Sequence, residues 1–409
     1  MIMKKKLIAL LVCLTMAMIP VLASCGGGSS SGGGSDEGEF KVALICLHDE
    51  NSTYDLNFIN GFKEAMGNLG IDEDHYMIKT GVPEGQECYD AAAELADAGC
   101  KLIFSDSFGH QDYMLQAATE FPDVQFVSCT GDKALVANQD NYHNAFAAIY
   151  DGRYLAGVAA GMKLNELKEA GKLKGDTPKM GYVGAFTYAE VISGYTSFYL
   201  GAKSVCPDVT MDVTFTGSWY DETAEKEGAN KLIQGGCDLI SQHADSFGAP
   251  TACETAGVPN VSYNGSTKEA GPNTYIISSK INWSPFFEYA AKAVQNGEAF
   301  DTNWTGTIDT GSVELTELNT DVAAEGTAEK LEEVKAALVA GNTHVFDTST
   351  FTVEGKTLDS YKADVEADDK YEHETEVVSD GYFHESEFRS APYFDIQIDG
   401  INLLDTNFG

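Results

Sequence analysis

Between Lys41 and about Asn296 the chain alternates short apolar runs with amphipathic stretches, and this alternation restricts the fold more than any other feature. Strand-like runs span 41–47, 75–80, 102–105, 124–129, 180–183, 211–216, 239–242, 260–263 and 275–279. Helix-like stretches separate them, at 57–69, 85–98, 112–120, 151–167, 191–204, 221–234, 249–256 and 284–296. Repeated strand–helix units require parallel sheets with helices on both faces, because a parallel crossover must pass over a face of the sheet. The series is too long for one open sheet and restarts after Asp176-Thr177-Pro178-Lys179. The expected fold class is therefore α/β, with two doubly wound lobes joined by a hinge. A closed (β/α)8 barrel is the alternative; extended connections such as 131–145 and a ninth strand count against it. A chain of 409 residues is long enough for two cores.

The N-terminus reads as an export signal. Lys4, Lys5 and Lys6 precede an apolar run, Leu7 to Leu22, shorter than the roughly 20 residues of a spanning helix. It ends in Leu22-Ala23-Ser24-Cys25, which resembles the bacterial lipobox, whose cysteine is diacylated and becomes the mature N-terminus. Residues 26–39 are Gly and Ser with three acids, a composition that cannot bury a core and behaves as a slack linker. The expectation is a lipoprotein signal peptide over 1–24, lipidation at Cys25, and a tether to 39. The globular body would then sit at the extracytoplasmic face of the cell membrane, held by its lipid.

Charge and cysteine usage narrow the partners. A formal net charge of −37 opposes nucleic-acid binding, which depends on Lys and Arg neutralising phosphates. Self-repulsion of that size favours a monomer. Seven scattered cysteines, Cys46 to Cys253, mostly lie beside small or apolar residues with no C-x-x-C pair, so buried free thiols are expected rather than disulfides or zinc.

No enzyme signature is present: no P-loop, no G-x-G-x-x-G after a strand, no H-E-x-x-H, no G-x-S-x-G, and no metal-ligand spacing among the eight histidines. No cofactor, metal or catalytic residue is assigned. Ligands of open α/β sheets bind beyond the strand carboxyl ends. Those ends carry His48, Asp49, Tyr54, Asn57 and Phe58; Asp106, Ser107 and Phe108; Phe186 and Tyr188; Trp219; His243 and Asp245; Asn264; and Lys280. Aromatics mixed with acids suit a flat ring held between aromatic faces, with hydroxyls donating to carboxylates. A small-molecule receptor follows; an extracytoplasmic nucleoside hydrolase, using two of the acids, is the alternative from another class. Beyond Lys280, a helix start at Trp283-Ser284-Pro285, a strand over 304–318 and a helix over 328–340 are expected. The acidic tail after Asp347 reads as an elaboration packed on one lobe.

Several stretches, in this order, resemble the basic membrane protein family of lipoproteins. Leu102-Ile103-Phe104-Ser105-Asp106-Ser107-Phe108 looks like the family's second loop, and Phe121-Pro122-Asp123-Val124-Gln125-Phe126 is similar to its Y-P-D-V-K-F segment. Tyr154-Leu155-Ala156-Gly157-Val158-Ala159-Ala160 matches a family helix; Lys179 to Gly184 and Gly217-Ser218-Trp219 match I-G-F-V-G and G-S-F. The first loop differs: His48 stands where the family has an Asp, and 50–57 replaces G-G-x-N-D-x-S-F. The resemblance implies a substrate-binding protein of an ABC importer with a periplasmic-binding-protein type I fold. It implies an N-terminal lobe of 40–148 with 284–306, and a C-terminal lobe of 149–283 with 307–409. A membrane permease would be the partner, and the ligand a nucleoside, purine first, or else a sugar. Phe186 and a first-loop aromatic would stack on the base, while Asp245, Asn264 and Lys280 would bond the sugar.

Overall fold

The computed structural model of the protein describes residues 40–368, 370 and 372–406. The stretches read as a signal peptide (1–24), a lipidated Cys25 and a linker (26–39) lie outside the described residues. No helix among the described residues is long and apolar enough to cross a membrane.

The first sheet is built from β1 (Lys41–Ile45), β2 (Tyr76–Lys79), β3 (Cys100–Ser105), β4 (Gln125–Cys129), β5 (Tyr142–Ala147) and β11 (Asn303–Gly306), in the order β11-β5-β4-β3-β1-β2. All its pairings are parallel. Helices α1 (Thr53–Leu69) and α8 (Ser284–Asn296) cover one face around Phe58, Phe62, Phe104 and Phe287. Helices α2 (Gln86–Asp97) and α3 (Gln111–Glu120) cover the other.

The second sheet contains β6 (Lys179–Gly184), β7 (Thr210–Phe215), β8 (Leu239–His243), β9 (Asn260–Tyr263), β10 (Tyr275–Ile281) and β12 (Val313–Leu315), in the order β12-β10-β9-β8-β6-β7. A late strand, Ile401–Leu403, adds in parallel to the β7 edge, and β12 is antiparallel. Helices α4 (Ile149–Glu169), α5 (Ala189–Val205) and α9 (Thr327–Val339) share one large core with the tail. Helices α6 (Glu222–Gln234) and α7 (Gly248–Ala256) form a smaller core on the opposite face.

The chain passes between the sheets at 147–149, 281–284 and 306–313. These passages are bonded to one another: the Ala148 N–H donates to the Gly306 carbonyl at 2.8 Å and the Asn282 N–H to the Ser312 carbonyl at 2.8 Å. Where α4 crosses α5, a Cβ on Gly157 would lie 2.0 Å from the Phe198 carbonyl oxygen, and one on Gly201 2.0 Å from that of Tyr154. Gly157 of the Tyr154–Ala160 motif and Gly201 of α5 thus serve backbone-to-backbone packing.

Three expectations are corrected. Strand β5 lies mostly inside the stretch read as an extended connection. Its buried polar pair hid it: His143 bonds the Asp301 carbonyl and Gln125, and Asn144 accepts from the Ala134 N–H at 2.6 Å. The strand expected over 304–318 is two strands, one in each sheet, separated by a turn with Gly311 at φ 74°. Helix α1 starts at Thr53, before Asn57, because the Ser52 hydroxyl accepts from the Asp55 N–H and caps it.

Candidate functional site

The carboxyl ends of the two sheets face each other across a cleft. Its rim is bridged where the Thr53 N–H and hydroxyl both reach the Asp245 carbonyl, at 2.9 and 3.2 Å. Inside lies a narrow chamber with about 20 Å³ of free space, lined by Leu47, His48, Tyr54, Asp55, Ser107, Phe108 and Thr130 from the first sheet. Glu190, Trp219, His243, Asp245 and Asn264 line it from the second.

On the first side, β1 stops at Ile45 and the following loop is fixed by two carboxylates. The Leu47 N–H donates to Asp106 Oδ1 at 3.0 Å, and the His48 N–H donates to Asp55 Oδ1 at 2.7 Å. Asp106 is fully buried, and Oδ2 has no hydrogen-bond partner among the described residues. Burial, and then the neighbouring Asp55 charge, push its carboxyl well above the usual carboxylate range. Asp55 behaves oppositely: burial works against its charge, but hydrogen bonds with His48, Ser52 and Asp106 outweigh this and hold its carboxyl low. The two neighbouring carboxyls are thus shifted in opposite directions. Cys46 Sγ joins them, with one ligating atom of each residue within 4.8 Å of the others. Burial raises that thiol well above its ordinary value, which disfavours the thiolate a metal ligand requires.

On the second side, loops after β6 and β7 assemble aromatic faces. Phe186 stacks on Tyr188 at 5.1 Å and meets Trp219 edge-on at 5.0 Å; Phe108 approaches Tyr188 across the cleft at 6.0 Å. Glu190, in the first turn of α5, lies 3.4 Å from His243 Nε2. Burial lowers the His243 ring below its ordinary value, leaving it neutral. Asp245 is buried, accepts from Asn264 Nδ2 at 3.2 Å, and is raised by burial and then by the Asp55 charge. Asn264 presents this amide from a left-handed backbone, φ 67°. Behind the wall, the fully buried Arg153 bonds the Tyr182 hydroxyl at 2.5 Å and lies 4.8 Å from the Tyr263 ring centre.

Of the residues chosen from sequence, the chamber brings together His48, Tyr54, Ser107, Phe108, Trp219, His243, Asp245 and Asn264. Phe186 and Tyr188 continue its aromatic side, and Asp106 supports it from beneath. Four residues lie elsewhere. Asp49 is exposed and accepts from the Asn51 N–H at 3.0 Å. Asn57 donates to the Ile281 carbonyl at the passage between sheets. Phe58 stacks on Trp283 at 4.2 Å in the core. Lys280 stands opposite Glu314 in the β10–β12 register, and the pair closes at 3.1 Å, outside the chamber. The helical stripe that placed Phe58 in the core also turns Asn57 toward the sheet junction, while antiparallel β12 supplies the partner that draws Lys280 aside. Leu47, Asp55, Thr130 and Glu190 were missed. Asp55 is legible only as an acid in a capped first turn; Thr130 follows β4 with φ 79°.

Comparison with known proteins follows this geometry. The Bmp family, described as ABC transporter substrate-binding protein PnrA-like, matches residues 44–341. The chain is 32% identical to a purine-binding protein of Brucella abortus (strain 2308) over 290 residues, 70% of this chain and 78% of that one. It is 32% identical over 259 residues to a Haloferax volcanii protein named as an ABC transporter glucose-binding protein, 62% of each chain. It is 28% identical over 258 residues to an ABC transporter nucleoside-binding protein of Lactococcus lactis, 60% of this chain and 67% of that one. The fold is similar to that of an ABC transporter solute-binding protein from Conexibacter woesei, with TM-score 0.60, 22% identity, and 75% and 98% of the two chains covered.

Proposed function

This chain belongs to the Bmp family of PnrA-like ABC transporter substrate-binding proteins, and from that premise we propose that it captures a neutral nucleoside, purine first, and delivers it to a membrane permease. The family consists of substrate-binding proteins, not enzymes. The observation that carries the ligand reading is the aromatic set Phe108, Phe186, Tyr188 and Trp219 beside the carboxyls Asp55, Glu190 and Asp245. Aromatic faces take a planar base; carboxyl oxygens accept from ribose hydroxyls. The chamber lining holds no Lys or Arg among the described residues, so a phosphate would enter without a counter-charge. Relatives named for purine and nucleoside binding support the same reading.

The lobes in this proposal are 40–148 with 284–306, and 149–283 with 307–409. They hinge at the three passages, and closure is the difference a permease senses. Cys25 would be the lipidated N-terminus of the mature protein, and the protein would act as a monomer. A sugar is the second reading, favoured by the glucose-named relative and by the hydroxyl-accepting carboxyls.

The test is calorimetry and thermal melting of the chain from residue 26 with adenosine, guanosine, inosine, cytidine, glucose and AMP. The expected result is tight binding and a raised melting temperature with a purine nucleoside, and none with AMP. Response to glucose alone transfers the assignment to sugars; response to none removes both.

A further inference from the structure

The family match ends at residue 341, yet the chain continues, and its last segment reaches the cleft. We infer that residues 385–397 wall an outer subsite, next to the inner chamber, which takes an amine- or hydroxyl-bearing substituent of the ligand. This rests on the nucleoside-or-sugar reading and adds to it.

Three observations carry the inference. First, an outer chamber of about 360 Å³ shares Phe108, Thr130, Glu190 and Trp219 with the inner one, so the two adjoin. Its far wall is Arg389, Ala391, Pro392 and Asp395, from the added segment.

Second, the wall is fixed. Ser390 donates through N–H and hydroxyl to Asn303 Oδ1 at 3.0 and 2.8 Å, on the β11 edge of the first sheet. The Tyr195 hydroxyl of α5 donates to Gln397 Oε1 at 3.3 Å, and Ile401–Leu403 continues the second sheet. The segment is thus fastened to both sides of the cleft, and ligand entering the outer chamber meets a set surface rather than a loose tail.

Third, the charges facing this space are mostly acceptors. Arg389 is taken up by the carbonyls of Ala391, Val365 and Pro392, at 3.1, 3.4 and 3.0 Å, and by Asp132 Oδ2 at 3.7 Å. Asp132 Oδ1 has no hydrogen-bond partner among the described residues, and the Glu190 and Asp395 carboxylates stand beside it. A group that donates hydrogen bonds is matched there; a phosphate is not.

The test compares adenosine, 5′-amino-5′-deoxyadenosine, N6-(6-aminohexyl)adenosine, glucose and a disaccharide such as cellobiose by calorimetry, on the parent chain and on D395N. The amide introduced by D395N keeps an oxygen for the Tyr361 hydroxyl, so the fold has no reason to change. The expected result is that at least one extended probe binds about 10-fold or more tighter than its own core, as one charge-assisted hydrogen bond provides. That ratio should fall toward one in D395N. Core probes binding while every extended probe is equal or weaker overturns the outer subsite and leaves the inner reading standing. An extended-probe gain untouched by D395N also overturns it. Binding by no core or extended probe overturns the inner reading and the subsite together.

Discussion

Glu385 offers a sharp test of how the added segment is held. It is buried, Oε1 lacks a partner among the described residues, and the Tyr393 N–H reaches Oε2 at only 3.3 Å. Burial pushes this carboxyl from 4.5 up to about 8. Between those values the folded chain keeps a proton that the unfolded chain releases, so the stability this group contributes is present below pH 4.5 and is lost as pH rises toward 8. Each pH unit in that window costs about 1.4 kcal/mol. From about pH 5 to about pH 7.5 the loss from Glu385 alone is on the order of 3 kcal/mol. Glu385→Gln removes the titration while keeping shape. Any constant effect of the amide shifts the variant's whole stability curve without changing its slope. Urea unfolding followed by tryptophan fluorescence, at half-unit steps across that range, should show the variant gaining on the parent by roughly 3 kcal/mol. Two curves running parallel within about 1 kcal/mol would refute a buried, protonated Glu385, and with it the packing of the segment against Tyr150, whose hydroxyl donates to the Glu385 carbonyl at 3.1 Å.

Other outcomes follow from the same geometry. Phe186→Ala and Trp219→Ala should each weaken purine-nucleoside binding about 5- to 100-fold, the worth of one stacked face, in calorimetry. Lys280→Ala should change that affinity less than about 2-fold, because Glu314 holds the ammonium outside the chamber; a loss of about 10-fold or more would return Lys280 to the site. Gly157→Ala should cost about 3 kcal/mol or more in thermal or urea melts, since the obstacle at 2.0 Å is backbone and no rotamer can absorb it. Radiolabelled palmitate should enter the full chain and not its Cys25→Ala variant in a bacterial host; equal labelling would dismiss the lipobox reading.

Much of this protein was legible in its residues. The strand–helix alternation fixes parallel sheets covered on both faces, because periodicity is local and every residue carries its share of it. The same logic put His48, Phe108, Trp219, His243 and Asp245 at strand ends, and the sheets then gathered those ends at one cleft. Only the tertiary structure decided the rest. Antiparallel β12 set Lys280 against Glu314, outside the chamber lining, a partnered His143 and Asn144 made a strand from a polar stretch, and Glu190 became a wall residue only where α5 begins beside His243. The tail shows the division most clearly. Its composition says acidic and aromatic, but its bonds to Asn303 and its place on the β7 edge depend on residues 87 and about 190 positions away. Such pairings leave no period in the sequence, since their partners meet only after both sheets have formed.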